Sequence, residues 1–272
     1  MTSELHLNVE RIGFVGVITL NRPDRGNAFL PEMGHQLTDC LSQLDEDSNI
    51  RSIVITGAGK AFCVGADLNR GNDTFKDTEE EPASAVEVMN RFRARKPVVA
   101  AINGAAVGIG LSIALYCDFR IVANNAKLGF PFVRRGVIPE SGSHWLLQRL
   151  VGSAIAADLL LTGRIIDGTE AVSMGLAKKA TNSENVLLDS MALAQEIATL
   201  CSPTAVRESK EVLWRAITSD SLEQSVEREI QIFEDLLARP DALEGVRSFL
   251  ERRDPVWSPD DIATSRVSEI RE

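Results

Sequence analysis

The chain has 272 residues, 44% of them hydrophobic, and a formal net charge of −10 at pH 7. A chain of this length and composition can bury a full hydrophobic core. The negative charge and the lack of a Lys/Arg-rich run argue against nucleic acid or an anionic membrane surface as the main partner. Any anionic ligand therefore needs a local group of basic side chains.

The cysteines and the N-terminus indicate where the protein works. Cys40, Cys63, Cys117 and Cys201 are widely spaced, without a Cys-x-x-Cys pair, which favours reduced thiols over disulfides or a zinc site. No basic region precedes an apolar run at the N-terminus, and no segment reaches the roughly 18 apolar residues of a membrane span. We expect a cytoplasmic protein with no membrane partner and no bound metal.

The first 57 residues read as strand, strand, helix, strand. Alternating apolar and polar residues over 5–9, followed by a glycine-containing turn and an apolar run over 15–21, predict a β-hairpin. A polar loop with two arginines follows over 21–28. Apolar residues at helical spacing predict an amphipathic helix over 31–45, and the apolar run 52–57 predicts a short buried strand.

The glycines after this strand do not form a nucleotide-binding motif. Residues 57–68 lack the Gly-x-x-x-x-Gly-Lys-Ser/Thr spacing of a phosphate loop, and no Gly-x-Gly-x-x-Gly occurs in the chain. Nucleotide-binding folds are therefore disfavoured. We expect a polar, acidic surface segment over 69–82 and a helix over 83–94.

The stretch from Lys96 to Asp118 predicts a buried strand, a glycine-rich turn and a buried helix. The first amides of a helix have no intrahelical partner, so the amides near Ile109 and Gly110 can face a developing negative charge. Gly108 and Gly110 carry no side chain to block that approach. The alternative is that these glycines only let the helix pack closely on the strand.

The second half is mostly helical. A strand is expected over 119–123 and an extended run over 127–133, before a loop over 136–142 that leads into an apolar helix. The helices expected beyond it are Ala154–Leu161, Gly168–Met174, Val186–Leu200, Pro203–Ile217, Leu222–Ala238 and Ala242–Glu251.

Three blocks of the chain, in their order and spacing, resemble the crotonase superfamily of enoyl-CoA hydratases and isomerases. They are Lys60–Leu68, Lys96–Asp118 and Gly136–Glu140. The resemblance covers nearly the whole chain and implies an α/β fold, a spiral of β-β-α turns. It also implies a core with the acyl-CoA site over 1–200 and a C-terminal helical region over 201–272 that forms homotrimers or dimers of trimers.

The same resemblance implies an acyl-CoA thioester ligand of the kind used in fatty acid metabolism. Coenzyme A would enter as part of the substrate, with no tightly bound cofactor. The amides of Ala66 and Ile109 take the positions of an oxyanion hole, which stabilises the enolate of the thioester. Gly65 and Gly110, which lie beside these amides in the sequence, are expected to line the substrate pocket. The residues implied for coenzyme A binding are Arg25, Asn27, Ala28, Asp67, Leu68 and Arg252.

The chain departs from the two-glutamate pattern of the family's hydratases. The matching positions hold Ser112 and Phe132, neither of which is a general base at neutral pH. Glu140 instead matches the single catalytic glutamate of 3-enoyl to 2-enoyl-CoA isomerases. One carboxylate can carry a proton from C2 to C4. We expect Phe132 and Trp145 as pocket walls and Ser112 as small pocket lining.

Alternatives to this assignment remain. Glu140 could only complement the dipole of the following helix, and His144, four residues on, could hydrogen-bond Glu140 or the acyl group. A hydratase or other acyl-CoA lyase could use Glu140 with His144 or Ser112. A non-catalytic acyl-CoA binding protein would keep the oxyanion amides alone.

Overall fold

The computed structural model describes residues 5–68, 94–218 and 221–259. The acidic segment predicted over 69–82 lies outside these ranges. So does the helix predicted over 83–94, apart from its last residue.

Ten strands within these ranges form two sheets. The strands of the six-stranded sheet, in spatial order, are β1 (Leu7–Ile12), β2 (Val15–Leu20), β3 (Ser52–Gly57), β5 (Val98–Ile102), β7 (Phe119–Ala123) and β10 (Lys179–Thr181). The strands of the four-stranded sheet are β4 (Ala61–Cys63), β6 (Ala105–Val107), β8 (Leu128–Gly129) and β9 (Ile165–Ile166). The predicted hairpin is confirmed, because β1 and β2 pair antiparallel from Leu7 opposite Leu20 to Ile12 opposite Val15.

Nine α-helices complete the described part of the chain. They are α1 (Pro31–Glu46), α2 (Ile109–Leu115), α3 (Ser143–Val151), α4 (Ser153–Thr162), α5 (Gly168–Ser173), α6 (Val186–Leu200), α7 (Pro203–Thr218), α8 (Leu222–Leu237) and α9 (Pro240–Glu251).

The chain alternates between the two sheets and so builds the expected spiral. β3 in the large sheet is followed by β4 in the small one, β5 by β6 and then α2, and β7 by β8. Within each sheet these successive strands are parallel neighbours. Since β4, β6 and β8 run side by side, the turns that leave their carboxyl ends meet at one edge of the small sheet.

Two sequence predictions about strands were wrong. The extended run expected over 127–133 contains a strand only at β8, and a 3₁₀ turn follows at Val133–Arg135. The region beyond Ala154 was expected to be helical, yet β9 and β10 lie within it and pair with β8 and β7. Strands of two or three residues are too short to show an apolar periodicity.

A half-buried ion pair ties helix α7 to the core. Lys210 on α7 donates from Nζ to Asp118 Oδ2 at 2.7 Å and to the Lys96 carbonyl at 2.8 Å. The same Asp118 oxygen accepts the Val98 amide at 2.7 Å. These contacts fix α7 against the start of β5, the strand that leads into the glycine-rich turn.

All four cysteines are free thiols, and they differ in burial. Burial raises the pKa of Cys63 and that of Cys117 to about 12, so both are neutral thiols at physiological pH. Cys201 is exposed and Cys40 is half-buried. Among the helices of the described ranges, none has the length and apolar character needed to cross a membrane.

Candidate active site

The turn after β4 presents the amide of Ala66. The Phe29 amide donates to the Gly65 carbonyl at 2.8 Å, and the Asp67 amide donates to the Phe29 carbonyl at 3.0 Å. Because successive amides of an extended segment point to opposite sides, this bridge directs the Ala66 amide away from Phe29. Gly65 makes the turn with φ of +106°, a conformation that L side chains rarely adopt.

The turn after β6 presents the amide of Ile109. Gly108 adopts φ of +57° and ψ of −126°, and α2 begins at Ile109. As the first helical residue, Ile109 has an amide with no intrahelical acceptor. A Cβ on Gly110 would lie 2.2 Å from the Cys63 carbonyl oxygen, so glycine is required for α2 to approach β4 this closely. The two turns follow neighbouring parallel strands and lie together at one edge of the small sheet.

A cavity at this edge contains both turns and the carboxylate expected to act as base. Its lining residues are Phe29, Val64, Gly65, Ala66, Leu68, Val107, Gly108, Ile109, Pro131, Phe132, Arg135, Val137 and Glu140. Most of the lining side chains are apolar. The two ionisable ones are Glu140 and Arg135. The structure therefore brings together five of the predicted site residues, Gly65, Ala66, Ile109, Phe132 and Glu140, and adds Leu68 from the predicted coenzyme A set.

Glu140 lies in a loop whose backbone is fixed at several points. Its carbonyl accepts the Ser143 amide at 3.1 Å and the Ser143 hydroxyl at 2.7 Å. Ser141 adopts φ of +56°, and its carbonyl accepts the Tyr116 hydroxyl at 3.1 Å. Helix α3 begins only at Ser143, with Gly142 as its N-cap, so Glu140 precedes the helix start and lines the cavity instead.

Ser112 does not line the cavity, contrary to prediction. It is fully buried in α2, and its hydroxyl lies 2.8 Å from the hydroxyl of Ser143, which is also fully buried. Ser143 in turn binds the Glu140 carbonyl. Ser112 thus links, through Ser143, the helix that carries the Ile109 amide to the loop that carries Glu140.

We expect Ser143→Ala to lower the free energy of unfolding by about 1–3 kcal/mol, because it leaves the buried Ser112 hydroxyl without this partner. Urea unfolding would measure the change. Ser173→Ala is the matched control, since the exposed Ser173 hydroxyl also bonds a carbonyl three residues earlier, at 2.8 Å. Its effect should stay within about 0.5 kcal/mol. Equal losses in both variants would contradict a special role for the buried pair.

His144 and Trp145 do not line the cavity either. Because α3 begins at Ser143, residues 140–142 are not helical, and His144 does not stand one helical turn above Glu140. His144 is exposed, whereas Trp145 is half-buried and has the Arg149 guanidinium 3.7 Å from its ring centroid. Gly110 is buried behind the cavity wall, where it meets Cys63.

The residues predicted to bind coenzyme A fall into two groups. Asn27 is fully buried with φ of +56°, and its side-chain amide donates to the Ala58 and Ala61 carbonyls. Ala28 and Asp67 both accept hydrogen bonds from the Arg22 guanidinium, at 2.8 Å for Asp67. Asn27, Ala28 and Asp67 therefore shape the loop beside the site.

The other group is exposed. Arg25 ends the 3₁₀ turn Pro23–Arg25, and the half-exposed Leu68 lines the cavity. Arg252 caps the end of α9 with φ of +54° and does not line the cavity. Its contact with coenzyme A remains a prediction.

Sequence reasoning missed Arg22, Arg135 and several apolar wall residues. Asp67 and Arg22 are 45 positions apart, so only the fold reveals their ion pair. Arg135 gave a local signal, because it lies three residues after Phe132 and directly before the Gly136–Glu140 block.

The model of the family described as enoyl-CoA hydratase/isomerase matches residues 10–260. The chain belongs to this family. Among its relatives, the Mycobacterium bovis protein named probable enoyl-CoA hydratase echA8 is 38% identical over 260 residues, which cover 95% of this chain and 99% of that one.

Solved structures of the enoyl-CoA hydratase/isomerase family share the fold. The structure of a probable enoyl-CoA hydratase/isomerase from Mycobacterium abscessus has a TM-score of 0.89 and 39% identity, with 93% of this chain and 99% of that chain covered. The structure of an enoyl-CoA hydratase from Bacillus anthracis has a TM-score of 0.87 and 33% identity, with 94% of this chain and 100% of that chain covered.

Proposed function

We propose that the protein isomerises 3-enoyl-CoA thioesters to 2-enoyl-CoA thioesters, with Glu140 as the single proton carrier. The observation that carries this proposal is that Glu140 is the one carboxylate among the described residues that line the cavity of the two turn amides. The two positions that match the hydratase glutamates hold a half-buried Phe132 on the cavity wall and Ser112, fully buried and bonded to Ser143.

The proposed reaction needs one base and one anion site. The Glu140 carboxylate takes a proton from C2, and the electron pair of that C–H bond moves into a dienolate whose negative charge lies on the thioester oxygen. The amides of Ala66 and Ile109 donate to that oxygen and stabilise the dienolate. Protonated Glu140 then returns the proton to C4, which leaves the double bond between C2 and C3. No water or redox partner is consumed, and coenzyme A takes part only as the thioester of the substrate.

Hydration is the second candidate, because relatives of this chain are named enoyl-CoA hydratases. That reaction needs a water held beside C3 and groups to activate it. Phe132 lines the wall where the resemblance places one of those groups, and an aromatic side chain cannot activate a water. Hydration would therefore depend on Glu140 alone among the described cavity residues.

A paired assay on a 3-enoyl-CoA and a 2-enoyl-CoA separates the candidates. We expect double-bond migration with the first substrate and little incorporation of oxygen from labelled water with the second. Rapid hydration of the 2-enoyl-CoA would reject isomerisation as the main activity. Binding of both thioesters without turnover would identify an acyl-CoA binding protein.

We further propose that α8 and α9 carry the contacts of a homotrimer or a dimer of trimers. One face of α8 presents five exposed apolar side chains, Leu222, Val226, Ile230, Phe233 and Leu237. Patches of this kind mark interaction surfaces. Light scattering should give a trimer or hexamer mass, which Phe233→Glu lowers and the control Leu188→Glu, at an exposed position of α6, does not. A monomeric wild-type protein would reject this assembly.

A further inference from the structure

The mechanism above leaves one charged side chain of the cavity unused, Arg135. It ends the 3₁₀ turn Val133–Arg135, directly before Gly136, and lines the same cavity as Glu140. Its Nη1 donates to the Pro131 carbonyl at 3.1 Å, and Pro131 is itself a wall residue. This bond holds the guanidinium against the cavity.

The preceding arginine has a different environment. Arg134 donates from Nε to the Thr162 carbonyl at the end of α4, at 2.7 Å, and does not line the cavity. The two neighbours thus separate into one that ties the turn to α4 and one that lines the cavity.

The Arg135 guanidinium keeps donors for a ligand. In the described part of the chain its one side-chain hydrogen bond is the bond to Pro131, and no carboxylate forms an ion pair with it. By contrast, Arg22 beside the same site is paired with Asp67 at 2.8 Å. A guanidinium presents five N–H donors in a planar fork that suits a carboxylate.

We propose that Arg135 binds a carboxylate carried by the acyl chain, so that the preferred substrate is the thioester of a dicarboxylic acid. The inference rests on the proposed function for the place of the thioester. The turn amides take the thioester oxygen and Glu140 takes the protons of C2 and C4, which leaves Arg135 for an anionic group elsewhere on the substrate. Its immediate wall neighbours, Pro131, Phe132 and Val137, are apolar, as an acyl-chain wall requires.

Arg135 would also weaken the binding of a plain alkyl chain. An alkyl chain lying over the guanidinium removes water from its donors and returns no hydrogen bond, which is unfavourable. A carboxylate replaces that water with charge-assisted hydrogen bonds. Such donors therefore favour a carboxylate-bearing acyl chain and also disfavour a plain alkyl chain.

The test compares kcat/KM for two 3-enoyl-CoA substrates of equal length, one ending in a methyl group and one in a carboxylate. The wild-type protein should favour the carboxylate by about tenfold to hundredfold, the range of a hydrogen-bonded charge. Arg135→Gln should abolish that preference, while Arg134→Gln, the matched control, should keep it. Equal preferences in all three proteins would overturn the proposal.

A second arm separates the acyl carboxylate from the phosphates of coenzyme A, the other anionic groups of the substrate. Both acyl groups are offered as pantetheine thioesters, which carry no phosphate. If the wild-type protein also prefers the carboxylate-ended pantetheine thioester, and Arg135→Gln loses this preference, the acyl-chain site is supported. An Arg135→Gln defect confined to coenzyme A esters, and equal for both acyl ends, would assign the guanidinium to phosphate and overturn the proposal.

Binding measurements test the carboxylate subsite independently of the proposed isomerisation. The dissociation constants of saturated acyl-CoA esters, with and without the terminal carboxylate, are compared in the wild-type protein and in the Arg135→Gln variant. A carboxylate preference in binding that depends on Arg135 supports the subsite even if no isomerisation is seen. Isomerisation of the methyl-ended substrate without any such preference supports the reaction and rejects the subsite.

Discussion

Replacing Glu140 with glutamine is expected to lower kcat for double-bond migration by about 10²–10⁴-fold, the usual contribution of a general acid–base group. Glutamine keeps the size of the side chain but cannot take the C2 proton. Because the amides of Ala66 and Ile109 are untouched, the affinity for a saturated acyl-CoA should change little. Steady-state kinetics on a 3-enoyl-CoA, with binding measured separately, would check both statements.

Glu46→Gln is the control for the Glu140 variant, because Glu46 is an exposed carboxylate at the end of α1. It should leave kcat at the wild-type value. If Glu140→Gln retained wild-type migration, Glu140 could not be the proton carrier, and its fixed loop would have only a structural role.

Replacing Ile109 with proline is expected to lower kcat by about 10²–10³-fold, the cost of losing one oxyanion donor. Proline is well tolerated at the first position of a helix, where its fixed φ suits the helix and the amide makes no intrahelical bond. The substitution therefore removes the amide hydrogen while keeping the start of α2.

Ile109→Ala separates the amide from the side chain, which is 3% exposed and packs in the core. It keeps the backbone donor and should retain most of the activity, although it lowers stability. Circular dichroism would check that both variants fold. A loss of activity as large in Ile109→Ala as in Ile109→Pro would show that packing, not the amide, is what the reaction requires.

The local sequence was enough to predict the backbone amides of the site whose position depends only on neighbouring residues. A glycine turn between an apolar strand and an apolar helix places orphan amides at the helix start, so Ile109 could be identified from its own neighbours. Ala66 became a candidate only through the family resemblance, because residues 57–68 alone show no binding motif. Glu140 was likewise identified by its position in the Gly136–Glu140 block.

The contacts that position these groups could not be predicted, because they join distant parts of the chain. Ser112 meets Ser143 across 31 positions, and Arg22 meets Asp67 across 45. The orientation of His144 depends on α3 beginning at Ser143, and a shift of one or two residues in that start would turn its side chain to another face. Periodicity defines the middle of a helix better than its ends, so this start could not be fixed from the sequence.

Because the chain is strongly negative overall, cations near its site are needed to attract an anionic substrate. A thioester of coenzyme A is an anion, and the protein has a net charge of −10. Arg135 places positive charge on the cavity wall, whereas Arg22 is neutralised by Asp67. Local cations of this kind offset the repulsion between substrate and protein.

The proton that Glu140 is proposed to carry can be followed with an isotope label. A 3-enoyl-CoA with deuterium at C2 is converted in a single turnover in ordinary water, and the product is analysed by mass spectrometry and NMR. We expect a 2-enoyl-CoA with part of the deuterium at C4, and loss of this transfer in Glu140→Gln. A 3-hydroxyacyl-CoA product, or equal transfer in the variant, would contradict it.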